Sequence, residues 1–143
     1  MDREQMLRVL GEVYAARVKG DVDGVLKMFT GDAKFNLNAS PQQTEVSVAT
    51  DGASPLHAVM TKLVDTFEFK DLEIVDSVVE GSRAAIRIRF TARSRANGKE
   101  AKTESLDLVE FRDCKVSSYT QFFDTATAHG LIIPTATEYS KAG

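Results

Sequence analysis

Asp107 and Tyr14 are the residues of this 143-residue chain whose types and places point most directly to chemistry. Asp107 lies in a segment of alternating polar and apolar residues, and antiparallel pairing gives it one surface in common with Ile88, Phe90, Val109 and Phe111. Apolar surroundings penalise the charged form of a carboxyl group, so its pKa rises and near neutrality it can stay protonated and donate a hydrogen bond. The plainer role is a carboxylate near an open end of the sheet, or one satisfied by a backbone or tyrosine donor, with no chemistry. Tyr14 falls on the apolar face of the first helical stretch, where a buried hydroxyl needs a partner. Its plainer role is a core side chain with a wet tip. Near the end of the alternating region Tyr119, Gln121 and Phe123 share one face, and Ser118, Thr120 and Phe122 the other. A one-residue change in the turn at Asp113-Cys114 exchanges the two faces. Pairing Phe111 with Lys115 is preferred, because it sets Tyr119 opposite Asp107 and into the same pocket.

The other reactive residue types carry less. His57 lies early in a helix between Leu56 and Val59 and reads as solvated, while His129 belongs to the tail. Asp124 could stand at a pocket mouth, although capping the segment after it is the plainer role. Cys114, in a turn with no adjacent histidine or helix start, has nothing to activate it and cannot form an internal disulfide. One Cys and two His make no structural zinc cluster, so no metal site is expected, and no cofactor. There is no phosphate-cradling glycine loop and no nucleophile elbow. A net charge of −3 argues against a surface built for phosphate neutralisation, hence against a nucleic-acid partner. A charged start, MDREQMLRVL, and no apolar run near 18 residues predict no membrane span and a soluble cytoplasmic protein.

The elements that must position these side chains are legible in the periodicity. Met6, Leu7, Leu10, Val13, Tyr14 and Val18 recur at helical spacing, with Asp2 to cap the helix and Gly20 to end it. Asp21 caps a second, short helix bearing Val22, Val25, Leu26 and Phe29. Residues 34–38 alternate as a half-buried strand with Phe35 and Leu37 inward, residues 39–43 form a loop, and residues 45–49 return as a second strand. Ser54-Pro55 starts a third helix carrying Leu56, Val59, Met60, Leu63, Val64 and Phe67. From Asp71 the period becomes two, giving strands over 71–80, 83–96, 99–112 and 115–124. Helices first and strands afterwards predict an α+β fold with a meandering antiparallel sheet. One domain over 1–143 is expected, with a core of about residues 2–124 and a tail, 125–143, that packs over the core or stays partly mobile.

A two-residue turn at Asn97-Gly98 fixes a register by counting: Ile88 faces Asp107, Phe90 faces Ser105, Ile86 faces Val109, Arg87 faces Leu108 and Arg89 faces Leu106. The three helices cover one face. The other, carrying Leu106 and Leu108 among Arg83, Arg87, Arg89, Arg93 and Arg95, needs a second layer, and a homodimer built sheet to sheet supplies it. Glu104 and Glu110 lie diagonal to Arg87 and Arg89, so this arginine row reads as a paired interface rather than a phosphate stripe.

The stretch from Tyr14 to Ala33 (YAARVKGDVDGVLKMFTGDA), with Asp107-Leu-Val-Glu-Phe111, Lys115-Val116 and Phe122-Phe123-Asp124, is similar to the NTF2-like superfamily, specifically its ketosteroid-isomerase-like and SnoaL-like members, over residues 5–128. The resemblance implies a cone-shaped NTF2-like (cystatin-like) fold: three N-terminal helices on a curved, mostly antiparallel sheet, with a deep pocket at the open end. It also implies that Tyr14 and Asp107 match the tyrosine and protonated aspartic acid of an oxyanion hole, polarising a carbonyl. The position of the isomerase base is Leu37, and that of the catalytic Asp in epoxide-hydrolase-like members is Gln121; by strand parity no arginine reaches the inner face. Expected is a pocket for a small apolar or amphipathic ligand lined by Phe35, Leu37, Val59, Ile88, Phe90, Val109, Tyr119, Gln121 and Phe123. Three readings follow: an isomerase or lyase acting on an apolar carbonyl compound, a non-catalytic ligand-binding module, and a dimeric interaction scaffold.

Overall fold

The computed structural model describes residues 1–38 and 48–132 of the chain. Helix α1 (Arg3–Lys19) opens on a capping box, in which the Asp2 carboxylate accepts from the Gln5 amide at 2.8 Å and Gln5 returns the bond to the Asp2 N–H. It ends at Gly20, whose φ of 72° is the left-handed cap conformation. Asp21 then caps α2 (Val22–Leu26) through the Gly24 amide. Strand β1 (Phe29–Leu37) follows and pairs antiparallel with β2 (Val48–Asp51). Helix α3 (Ala53–Thr66), strands β3 (Phe67–Glu80), β4 (Arg83–Ser94), β5 (Glu100–Arg112) and β6 (Lys115–Phe123), and helix α4 (Thr125–Ile132) complete the order. The expected α+β architecture is present: six strands in the order β2-β1-β6-β5-β4-β3, antiparallel except for the parallel β1–β6 pair. The core is the concave sheet face under the helices, where Leu10, Leu56, Ile86, Ile88, Val109 and Val116 are almost wholly buried. Among the described residues no helix is long and apolar enough to cross a membrane.

Several boundaries differ from expectation. Phe29 starts β1 and Phe67 starts β3, so neither closes a helix. Helix α3 begins before Ser54, with Gly52 at its cap and no side-chain capping bond. Val18 is exposed, and the inward position at that end of α1 belongs to Arg17. Asn38 leaves the strand in a left-handed conformation. The expected loop 39–43 and the start of the expected strand 45–49 lie outside the described residues. Of the tail, residues 125–132 form α4, which buries Ala128 and Leu131.

Both predicted registers shift, and both times the faces survive. The β4–β5 hairpin closes where the Ser94 amide donates to the Lys99 carbonyl, around four residues, Arg95 to Gly98, and not two, so Ile86 faces Asp107, Ile88 faces Ser105, Phe90 faces Thr103, Ala84 faces Val109, Arg87 faces Leu106 and Arg89 faces Glu104. The physical reason is that the Arg95 amide donates to the Thr66 carbonyl and its guanidinium to Val64, which draws the connection toward the end of α3. A slip of two residues leaves every side chain on its expected face. At the next hairpin Asp113 and Cys114 both take positive φ (54° and 63°) in a two-residue turn that pairs Arg112 with Lys115 and Phe111 with Val116. A bulge then inserts one residue, so that Glu110 faces Ser118, Val109 faces Tyr119 and Asp107 faces Gln121. Without that extra residue the tight turn would send Tyr119 and Gln121 to the outer face; the bulge returns them inward.

On the outer face, Glu104 lies opposite Arg89 and diagonal to Arg87, and both arginines bond it, Arg87 at 2.8 and 3.0 Å and Arg89 at 3.1 Å. Those bonds, Arg87 first, hold the Glu104 carboxyl down at about 2. Glu104, and not Glu110, therefore takes the expected ion pairs, while Arg95 turns away toward α3. Across the sheet run two rows with exposed apolar members: Leu106 beside Phe122, and Val78 to Leu108 by way of Ala85.

The helix end at Gly20 gives a direct test of this packing. A Cβ built there would stand 3.2 Å from Val64 Cγ1, in a backbone conformation that penalises L side chains. Gly20→Ala is expected to cost about 1–2 kcal/mol, seen as a lower urea midpoint at unchanged m-value.

Candidate functional site

Asp107 is fully buried at the centre of β5. Four side chains donate to it: Tyr14 from α1 at 2.8 Å and Tyr119 from β6 to one carboxylate oxygen, Gln121 from β6 at 3.0 Å and Ser105 from β5 at 3.1 Å to the other. This convergence follows from the strand geometry. Ser105 and Asp107 are two residues apart on one face, Gln121 is the cross-strand partner of Asp107, and the bulge brings Tyr119 onto the same side. Tyr14 descends from the helix layer above.

Burial raises the Asp107 pKa, and the bonds from Tyr119, Tyr14, Gln121 and Ser105 oppose that rise without cancelling it. Burial, reinforced by the neighbouring Asp107 charge, also pushes both phenols well above the ordinary tyrosine value. Asp107 is therefore the group of the cluster that changes protonation most readily. Phe29 and Phe35 stack against the Tyr119 ring at 6.0 and 5.7 Å and fix its orientation.

Two chambers open beside the cluster. The inner, about 430 Å³ counted with the open space at its mouth, is lined by Tyr14, Tyr119, Phe35, Ile88 and Gln121 together with Val25, Phe29 and Met60 from the layers around them. The outer, about 580 Å³ counted to its open mouth, is lined by Leu37, Phe90, Gln121 and Phe123, by Phe69 and Ala92, and by Asp124, Ala128 and Leu131 at its rim. Helix α4 thus forms one wall. Asp124 does both things considered for it: it stands at the rim, and its carboxylate caps α4 through Ala126, Thr127 and the Thr127 hydroxyl, which hold its pKa low. Among the expected lining residues Val59 and Val109 border neither chamber; Val109 is core, and Met60 and Leu63 line the cavity from α3 instead. Asp107 itself lines neither, since its oxygens are covered by their donors.

One residue escapes strand-parity reasoning altogether. Arg17 lines both chambers, 8% exposed, with Nη2 donating to the carbonyls of Phe67 at 3.0 Å and Leu63 at 3.3 Å, and with its guanidinium 3.9 Å above the Phe69 ring. The expectation that no arginine reaches the inner face holds for the strands and fails for α1. The signal was the spacing Leu10, Val13, Tyr14, Arg17, which places the arginine on the buried stripe.

A family model described as a SnoaL-like domain matches residues 10–119 of the chain. Solved structures of the same fold include a proposed isomerase of Bacillus subtilis, 10% identical with a TM-score of 0.81 over 92% of this chain and 95% of that one. A proposed polyketide cyclase of Xanthomonas campestris is 16% identical, with a TM-score of 0.74 over 92% and 98%. An NTF2-like protein of unknown function from Burkholderia pseudomallei is 18% identical, with a TM-score of 0.76 over 94% and 100%. A search of curated proteins returns no match.

The protonation of Asp107 is open to measurement. A carboxyl group whose pKa is higher folded than unfolded holds an extra proton in the native state, so its contribution to stability is complete below the unfolded value near pH 4 and is lost as pH rises toward the folded value. The stability of the wild type relative to Asp107→Asn is expected to fall as pH increases from about 4; urea titrations at a series of pH values measure it, and a flat difference would contradict a raised pKa.

Proposed function

The chain belongs to the SnoaL-like domain family, and from that footing we propose that it is an isomerase or lyase acting on a mostly apolar carbonyl compound, with Tyr14 and Asp107 as its oxyanion-stabilising pair and Tyr119 beside them. The observation that carries this reading is the placement of two cavity-lining phenols on one buried carboxyl group. With Asp107 ionised, both phenolic protons are spent on it. With Asp107 protonated, its own proton bonds one phenol oxygen and a tyrosine hydroxyl turns free toward the inner chamber. A substrate carbonyl seated there accepts that bond, and the charge that develops on its oxygen is met by a donor already in place in a water-poor site. Asp107 thus acts from behind the tyrosines, and Gln121, which borders both chambers, orients the compound.

The isomerase base position implied by the resemblance is Leu37, buried in the outer wall, and among the described residues no carboxylate or histidine lines the inner chamber. That observation favours a second reading, a module that binds such a compound without turning it over. Product formation by the purified protein separates the two.

The exposed apolar rows on the outer face support a homodimer built sheet to sheet, a second copy of this chain covering Leu106 and Leu108 with Arg87 and Arg89 at the rim. Arg87 and Arg89 are already satisfied by Glu104 within the chain, so docking that face leaves neither of these two arginines unpaired. Leu106→Arg combined with Leu108→Arg is expected to sediment as a monomer; a double mutant that remains dimeric excludes this surface.

Substituted phenols, which mimic an enolate, test the donor cluster. Their binding to the wild type is expected to depend on pH and that dependence to vanish in Asp107→Asn, while Tyr14→Phe weakens binding about tenfold or more. No binding by the wild type, or an unchanged profile in Asp107→Asn, removes the oxyanion reading.

A further inference from the structure

Arg17 is a buried cation without a carboxylate partner among the described residues. Its guanidinium is compensated by two backbone carbonyls on one nitrogen and by the Phe69 face, which leaves Nη1 buried with no hydrogen-bond partner. An unmade bond on a buried charged donor costs more than one on a neutral group, so a native fold that retains it has a use for it. The surrounding charge makes this donor selective. Burial, with the like charge of Arg95 (itself 3.8 Å from the Glu68 carboxylate) behind it, lowers the Arg17 guanidinium to about 10, still fully protonated at neutral pH. The rim carboxylate, Asp124, is occupied with the α4 amides and forms no ion pair with Arg17. The potential at the junction of the two chambers is therefore positive, and the walls on either side, Phe69, Phe90, Phe123 and Leu131, are apolar.

We propose that the occupant of the cavity is an amphipathic carboxylic acid, its apolar body in the outer chamber and its carboxylate on Nη1 of Arg17. The carboxylate supplies the missing acceptor and the missing counter-charge together. A single free nitrogen suits a compact monoanion, and an aromatic cavity suits its hydrocarbon body. Tyr14 lies three residues before Arg17 on α1, so the two side chains start about 5–6 Å apart along one face. A compound anchored at Arg17 thus presents its neighbouring atoms to the Tyr14 and Tyr119 hydroxyls. This inference rests on the reading above for its reacting carbonyl, but not for its anchor.

The test compares 4-phenylbutanoate with 4-phenylbutanamide, which has the same body and no charge, by calorimetry on the full chain. The wild type is expected to bind the carboxylate at least tenfold more tightly, and Arg17→Met to lose that preference. Arg17→Lys, which keeps the charge without the planar fork, is expected to retain a reduced preference and serves if Arg17→Met fails to fold. Equal binding of acid and amide by the wild type, or a preference that persists in a folded Arg17→Met, overturns the proposal. Asp107→Asn in the same assay separates the two readings. If it spares the carboxylate preference while phenol binding shows no dependence on Asp107, the anchor stands and the oxyanion cluster falls. Phenol binding that depends on Asp107 beside indifferent acid and amide binding gives the reverse.

Discussion

The structure depends on one costly act, the complete burial of a carboxyl group at Asp107. An isolated charge in that position would be prohibitive, and even a neutral acid needs its bonds made. Four donors meet the demand, and they come from three elements: Tyr14 from α1, Ser105 from β5 itself, and Tyr119 and Gln121 from β6. The helix layer must therefore sit at one height over the sheet, and β6 must present its odd-numbered residues inward beyond the bulge. A register error at either place leaves a buried polar group unpaired, so the cluster selects one arrangement of an otherwise ordinary apolar core.

Much of this was legible in the residues, because alternation is insensitive to a register slip of two. Asp107, Ile88 and Phe90 fall on the inner face whether the β4–β5 connection has two residues or four. The β6 assignment was less secure. A two-residue turn at Asp113-Cys114 alone would have turned Tyr119 outward, and a pairing of Phe111 with Lys115 reached the right face through the wrong partners. The bulge that reconciles them carries no residue-type signal, since Ser117 is neither glycine nor proline. It follows from what must be buried: Tyr119 and Val116 both belong inside, three residues apart, and only an extra residue between them permits that.

Arg17 is hard to see in the sequence for a different reason. A parity argument covers strands, and an arginine in a helix beginning DREQ, with three other basic residues on it, is naturally assigned to water. Steps of three and four from Val13 and Tyr14 reach both 17 and 18, and it is position 17 that the helix turns inward. What makes the arginine tolerable inside is tertiary: the carbonyls of Leu63 and Phe67 lie within its reach where α3 ends, and the guanidinium donates to both while lying on Phe69. No local pattern in α1 announces those partners, which lie some 50 residues away.

The two buried polar features have opposite electrostatic characters. Asp107 can be stored without charge, whereas Arg17 cannot shed its own at any ordinary pH, so at neutral pH the cavity tends toward net positive potential rather than neutrality. A negative charge appearing on a bound molecule, whether carried in or developed on an oxygen during reaction, is stabilised more strongly there than in water because few mobile dipoles compete. An apolar residue, Leu37, in the wall is consistent with that field. A second ionised carboxylate in the wall would neutralise the arginine and cancel the advantage that the tyrosine donors hold over water. The apolar side chain at position 37 and the arginine at position 17 thus act in the same direction, favouring an anion in the cavity over a cation.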